Sequence, residues 1–281
     1  RRIAATEPLA SRTRDLTGPE AARIRAMRVP DKPLINTSGT GLFCEPGNFH
    51  IDPWGPADTA VVTHAHADHA RPGSRRYLAA ESCVPLLRRR LGDDIRVEGL
   101  AWGEERRLGA ATISLHPAGH ILGSAQVRVS VGEDVWLVTG DFKRDPDPTC
   151  EPFQPVACDV MITEATFALP IYRWPSPSAV AEQILQWWRV NADQHRASLL
   201  LCYSLGKAQR VLAELARLTD RQVYAHGAVL SVNAIYRDAG VSMLEAIPVP
   251  EQADPGDFRG ALIIAPPAAG RSACLFVSFR G

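Results

Sequence analysis

The chain has 281 residues, 46% hydrophobic and 22% charged, and its 31 basic side chains balance 31 acidic ones to a formal net charge of zero. That length can bury a substantial core, as one large domain or as one domain carrying an inserted one. No run approaches the roughly 18 apolar residues of a membrane helix, and a zero total leaves any attraction to a polyanion to local clusters. Residues 1–36 read as a flexible basic arm. It carries Arg1, Arg2, Arg12, Arg14, Arg23, Arg25 and Arg28 but lacks the apolar stretch of a secretory signal, and Glu7, Asp15 and Glu20 argue against an amphipathic transit segment. Cys44, Cys83, Cys150, Cys158, Cys202 and Cys274 are scattered with no C-x-x-C pair. Neither a zinc knuckle nor a disulfide framework is expected, and a reduced cytoplasm is the default location.

Short apolar strands ending in polar residues alternate with helical stretches, the pattern of a layered α/β protein. His50-Ile51-Asp52-Pro53-Trp54 puts an aspartate at the end of one such strand. Ligating imidazoles usually donate their second ring N–H to a carboxylate or carbonyl, so Asp52 is either such a supporting group or a plain turn residue before proline. Asp58-Thr59-Ala60-Val61-Val62-Thr63 is a β-branched strand leading into His64-Ala65-His66-Ala67-Asp68-His69. Imidazoles and a carboxylate packed so closely, at the carboxyl end of a strand, point to bound metal: zinc, manganese or iron. The spacing can serve two ions, with His64 and His66 on the first and Asp68 and His69 facing the second. Arg71, Arg75, Arg76, Arg88, Arg89 and Arg90 follow as a basic cluster, of which Arg88 to Arg90 read as a solvated helix face sooner than as a nucleic-acid site.

Further donors stand at later strand ends. Ala111 to His116 leads into Pro117-Ala118-Gly119-His120-Ile121-Leu122-Gly123-Ser124, where the strand breaks and presents His120, the candidate third histidine on the first ion. His116 lies within the strand and reads as a core histidine. Asp134 to Asp141 is an apolar strand ending on Gly140-Asp141; the glycine allows close backbone approach and Asp141 can bridge two cations.

Taken in this order, these motifs resemble the metallo-β-lactamase superfamily, whose fold is a four-layer αβ/βα sandwich with metals at the edge between its sheets. Asp159-Val160-Met161-Ile162-Thr163-Glu164-Ala165-Thr166-Phe167 resembles the acidic motif that opens the β-CASP branch, the nucleic-acid nucleases that include Artemis-like enzymes, ribonuclease J and messenger-RNA 3′-end processing factors. Ala168 to Pro175, with Gly41-Leu42-Phe43-Cys44 and His50 to Trp54, resembles the bacterial ligase-associated DNA exonucleases, and the resemblance runs from about Gly41 to about Arg271. It implies a metallo-β-lactamase domain over 37–170 and an inserted β-CASP α/β domain over 171–265. It also implies two divalent ions, zinc or manganese, and metal ligands His64, His66, Asp68, His69, His120 and Asp141. Asp68, Glu164 and Asp141 would be catalytic, with Asp52 in support. The reaction implied is two-metal hydrolysis of a phosphodiester, with Asp141 between the ions, Asp68 orienting the attacking hydroxide and Glu164 orienting a ligand.

Within the inserted part, Ser176-Pro177 is an N-cap with proline in the first turn, opening a helix to about Val190. Val180, Ile184, Trp187 and Trp188 form its apolar stripe, read as core rather than as a base-stacking surface. Ser198 to Tyr203 reads as a buried strand, then Ser204-Leu205-Gly206-Lys207 opens a helix from Ala208 to Leu218. That mouth, without the full Walker spacing, suits a phosphodiester backbone or is an ordinary cap with an exposed lysine. Ser204 and Lys207, with Arg71 and Arg75, are the candidate nucleic-acid contacts. His226 falls in the inserted part and is not counted as a ligand.

Two further histidine motifs expected after the inserted domain are absent: no histidine follows His226, and Ser272 to Gly281 does not match the pattern. The C-terminal part of the sandwich is therefore expected to be missing, with 266–281 a truncated or divergent end. The function expected is a DNA exonuclease acting in repair beside an ATP-dependent DNA ligase, with ligase and helicase as partners by resemblance. Alternatives are a β-CASP ribonuclease of the 3′-end processing type, a small-molecule thioesterase or lactamase, and an inactive nucleic-acid-binding or scaffold paralogue.

Overall fold

The strands nearest the histidine motif belong to a six-stranded sheet ordered β1 (Ile35–Ser38), β2 (Gly41–Cys44), β3 (Phe49–Ile51), β4 (Thr59–Val61), β5 (Arg76–Ala80) and β6 (Val97–Leu100). The computed structural model describes residues 32–269 apart from 167, 168, 170, 251 and 253. The basic arm up to Asp31, Phe167, Ala168 and Pro170 of the resemblance, and the chain from Gly270 with Cys274 lie outside the described residues. From β1 to β3 the pairing is antiparallel, and from β3 to β6 it is parallel. Parallel strands are covered on both faces, which is why Thr59–Val61 and all of β5 beyond Arg76 are buried. Helix α1 (Val84–Leu91), with a proline in its first turn, connects β5 to β6 and packs on β6.

The second sheet has the order β11-β10-β9-β8-β7, with β7 (Arg106–Leu108), β8 (Ala111–Pro117), β9 (Ala125–Val131), β10 (Asp134–Val138) and β11 (Val160–Ile162). It is an antiparallel meander until β11, which returns parallel to β10. One hydrophobic cluster joins the two sheets: Phe49, Ile51, Val61 and Leu78 from the first meet Ile113, Leu115, Val127 and Val129 from the second. Each such side chain contributes about 1.5–3 kcal/mol on burial, so this shared layer fixes the sheets face to face. The loops leaving β4, β8 and β10 at their carboxyl ends carry the histidine motif, His120 and Asp141.

A third, four-stranded sheet is wholly parallel, in the order β12 (Ser198–Leu201), β15 (Leu262–Ala265), β13 (Val223–Ala225), β14 (Ala246–Pro248). Helices α2 (Pro177–Asp193), α3 (Lys207–Leu215) and α4 (Gly227–Asp238) accompany it. It has its own core of Leu185, Trp188, Leu212, Val223, Val229 and Ile264, while Leu205, Val232 and Tyr236 pack into the first core. The Ser176 Oγ accepts from the Ala179 N–H at 3.2 Å, with Pro177 in the first turn, so α2 starts where the cap signal puts it.

The expected stripe on α2 is half right: Trp188 lies in the core and Ile184 packs against it. The buried face is Ala181, Leu185 and Trp188, whereas Val180 and Trp187 are 37% and 40% exposed. Successive residues turn by about 100°, so neighbouring apolar positions cannot all face one core. Likewise β12 ends at Leu201 rather than Tyr203, and α3 spans Lys207–Leu215 rather than reaching Leu218. The α/β class is as expected. Among the described residues no helix is long and apolar enough to cross a membrane.

Candidate metal centre

Asp52 is where sequence and fold first meet the site. Because β3 runs parallel beside β4 with Ile51 opposite Val61, the residue after β3 lies beside the residues that leave β4, and the Asp52 N–H donates to the Val61 carbonyl at 3.0 Å. Asp52 adopts a left-handed conformation, φ 45°, which aspartate tolerates better than most residues. This turns its carboxylate onto the histidine loop. Oδ1 accepts from the Thr63 N–H at 2.8 Å, and Oδ2 accepts from Thr63 Oγ1 at 2.6 Å and from His69 Nδ1 at 2.7 Å. Gly140 packs against the same threonine: at φ 53° a Cβ there would lie 2.6 Å from Thr63 Oγ1. Only glycine therefore lets the Gly140-Asp141 turn come this close.

Three hydrogen bonds set the imidazole tautomers. Thr63 Oγ1 gives its proton to Asp52, so towards His64 Nδ1, at 3.1 Å, it accepts, and the lone pair of His64 is on Nε2. The Leu205 carbonyl, 3.3 Å from His66 Nε2, can only accept, which leaves the lone pair of His66 on Nδ1. The carboxylate of Asp52 holds the Nδ1 proton of His69 and leaves Nε2 for ligation.

The lone pairs so placed converge. His64 Nε2 is 3.0 Å from His66 Nδ1, which is 3.3 Å from His120 Nε2. Asp141 Oδ2 lies 3.7 Å from His64 Nε2 and 3.5 Å from His120 Nε2. A tetrahedral ion with bonds of about 2.1 Å has donors about 3.4 Å apart, so this quartet has the separation of a ligand shell. Burial lowers the pKa of all three histidines: His64 falls well below its ordinary value, and His120, also disfavoured by the nearby charges of His66 and Arg210, falls to about 4. At neutral pH they are the unprotonated ligands a divalent metal requires.

A second group shares Asp141. His69, Asp141 and Glu164 each offer a ligand atom within 4.8 Å of the others, with Asp141 Oδ1 3.8 Å from His69 Nε2. Asp68 Oδ2 stands 3.7 Å from the same nitrogen on a side chain 72% exposed. Burial alone would lower the pKa of His69, but the hydrogen bond and charge of Asp52, with Asp141 and Asp68, push it up to about 9. A cation on Nε2 would take the place of that proton. Both groups thus fit divalent metal in donor type, charge and spacing.

Several residues that matter here carry no sequence signal. Arg90, expected on a solvated face, donates from Nε to the Ala65 carbonyl between His64 and His66 at 2.5 Å, and Arg89 donates to Ser231 Oγ at 3.2 and 3.0 Å. Ser124 Oγ accepts from the N–H groups of His120 and Ile121 at 3.0 and 3.1 Å, which shapes the turn that presents His120. Asp147, its side chain 2% exposed, is ion-paired with Arg210 and, at 3.2 Å, with Lys143. His116 is half-buried and bonds to Ser114 Oγ at 3.0 Å; His226 caps α4, its Nδ1 accepting from the Ala228 N–H at 3.1 Å.

The α3 mouth differs from the expected phosphate cradle. The Gly206 N–H donates to the buried Gln209 Oε1 at 2.7 Å and the Ala208 N–H to the Tyr203 carbonyl at 3.1 Å, so neither is free for a ligand. Instead the mouth seats on the metal loops: a Cβ on Gly206 would come within 2.4 Å of Ile121 Cγ2. Ser204 is half-buried and Lys207 exposed. Arg75 is paired with Asp58 at 2.7 Å, and Arg71 Nη1 reaches the Trp54 carbonyl at 3.5 Å.

No protein-family profile matches the chain. It is 32% identical over 236 residues to a protein of Opitutus terrae named as a probable DNA ligase, covering 83% of this chain and 22% of that protein. It is 30% identical over 219 residues to a ribonuclease of Thermus thermophilus (68% of this chain, 48% of that one). To an RNase J-like protein of Methanocaldococcus jannaschii it is 24% identical over 208 residues (64% and 49%). The chain belongs to the β-CASP branch of the metallo-β-lactamase superfamily. This β-CASP chain spans about half the length of the two ribonuclease relatives and about a fifth of the ligase-named one. The β-CASP resemblance names the same side chains, Asp68 apart, that the fold gathers into the two donor groups.

Proposed function

We propose that this chain carries the catalytic centre of a metal-dependent phosphodiesterase acting on nucleic acid, foremost a DNA exonuclease working beside an ATP-dependent DNA ligase in repair. The observation that carries the reading is Asp141, whose Oδ2 faces the His64, His120 pair and whose Oδ1 faces His69, so that one carboxylate is shared by the two donor groups. Two divalent ions, zinc or manganese, would supply Lewis-acid polarisation of the phosphoryl oxygen and an acidified water. His64, His66, His120 and Asp141 would hold one; His69, Asp141 and Glu164, with Asp68 at the rim, the other. Asp52 fixes the ring of His69, and the exposed carboxylate of Asp68, beside His69, would orient the attacking hydroxide. Arg71, Lys207 and Ser204 would serve the backbone phosphates, and affinity then falls as salt rises. Arg75, already paired with Asp58, is the weaker candidate.

DNA is favoured by the likeness to a protein named as a DNA ligase. The ribonuclease and RNase J-like names of other relatives support a second reading, an RNA nuclease. A time course on single-stranded DNA and RNA of matched sequence, labelled at either end, with manganese or zinc, separates them. Stepwise shortening of DNA alone is the expected result; cleavage confined to RNA would replace the first reading by the second.

A further inference from the structure

Beside the second donor group lies a hollow of about 340 Å³, whose lining includes Asp68, His69 and Glu164 together with Leu42, Trp54 and Arg71. That volume is at the lower end of small-ligand sites, room for about one nucleotide. Trp54 is 61% exposed, an unusual position for the largest apolar side chain. Its backbone is nevertheless held firmly. The Trp54 N–H donates to the Thr40 carbonyl at 2.8 Å, its carbonyl meets Arg71 Nη1, and two residues before it Asp52 is bound to His69. The indole is thus exposed while its main chain is held two residues along from the carboxylate that orients the His69 imidazole.

We propose that Trp54 is the stacking platform for the base next to the cleaved bond, and the inference rests on the nucleic-acid reading above. Three chemistries meet in the hollow. A flat π-face takes a base, a guanidinium takes a backbone phosphate, and the imidazole and carboxylates face the phosphodiester. Stacking on a bare ring is tolerant of sequence. It also requires a base already out of a duplex stack, so the substrate class is a single-stranded or frayed end.

The test measures binding of fluorescein-labelled oligothymidylate and of a blunt hairpin to the full chain in chelator, by anisotropy, for the parent, Trp54→Ala and Trp54→Phe. Expected is a loss of about tenfold for Trp54→Ala on oligothymidylate, little change on the hairpin, and affinity near that of the parent for Trp54→Phe. Tryptophan fluorescence quenched by oligothymidylate in the parent should lose that quenching in Trp54→Phe, an arm that stands even if the alanine variant fails to fold. Unchanged quenching in Trp54→Phe, or a folded Trp54→Ala that binds like the parent, overturns the platform while leaving the nuclease reading intact. A parent that neither binds nor, with manganese, shortens oligothymidylate or its RNA counterpart overturns both.

Discussion

Oδ2 of Asp52 stands 2.7 Å from Nδ1 of His69, although the two residues belong to different loops. The contact selects the tautomer that turns Nε2 towards Asp141 and Glu164, and the same carboxylate grips Thr63, the residue before His64. One side chain thereby aligns both donor groups. Asp52→Asn, which keeps the shape and tolerates the left-handed backbone, should weaken metal retention at the second group by about 10- to 100-fold. Metal analysis after graded dialysis against chelator checks this: the parent should keep two ions per chain under conditions where the variant keeps one.

His66→Ala removes a donor that stands 3.0 and 3.3 Å from two others. Hydrolysis should disappear with the first ion, while the far-ultraviolet circular dichroism stays that of the parent. Full residual turnover with unchanged metal content would refute the assignment of His66. Chelator should inactivate the parent in the same way, and added manganese or zinc should restore it.

Gly140→Ala places a methyl group at φ 53° and 2.6 Å from Thr63 Oγ1. The left-handed conformation alone costs an alanine roughly 1–2 kcal/mol, and the overlap must push Thr63 away from Asp52. Urea unfolding should show a loss of at least that size, accompanied by weaker metal binding. A surface glycine such as Gly132, at φ 59° with nothing near its Cβ, should lose stability under the same substitution without losing metal.

Asp147 supplies a pH dependence of its own, although its charge and that of Arg210 reach His120. Burial would raise its pKa, but the charges of Arg210 and Lys143 and the hydrogen bonds from Thr149 hold it below its ordinary 3.8. The folded state then binds this proton less readily than the unfolded one, so the stabilisation is present above about pH 4 and lost as pH falls below it. Asp147→Ala leaves Arg210 without its buried partner and should cost about 3–5 kcal/mol near neutrality. The acid limb of the stability curve should flatten in the variant; an unchanged limb would assign acid unfolding to other carboxylates.

What the sequence made legible was local. His64 to His69, His120 and Asp141 each come just after an apolar strand, so the strand pattern and the residue types place them at strand ends, on loops leaving both sheets. Asp52 was legible only as one of two readings, because its partner lies across a parallel strand pair whose register no spacing reveals. Arg90, Leu205 and the Asp147, Arg210 pair were not legible at all. Their contacts join residues distant in the chain, as far as the 139 positions between His66 and Leu205. Helix α2 shows a finer limit: with apolar residues at Val180, Ala181, Ile184, Leu185, Trp187 and Trp188, two stripes fit the period, and only packing against the third sheet chooses between them.

The bond from His66 Nε2 to the Leu205 carbonyl crosses from the histidine loop to the segment between β12 and α3. The ring nitrogen that faces the donor quartet is therefore chosen by a backbone atom outside the two sheets that supply every other ligand. A ligand pressing on the Tyr203 to Lys207 segment from the solvent side would bear directly on that imidazole. Because Leu205 also packs into the first core, the tautomer of one donor is tied to how the segment before α3 is seated there.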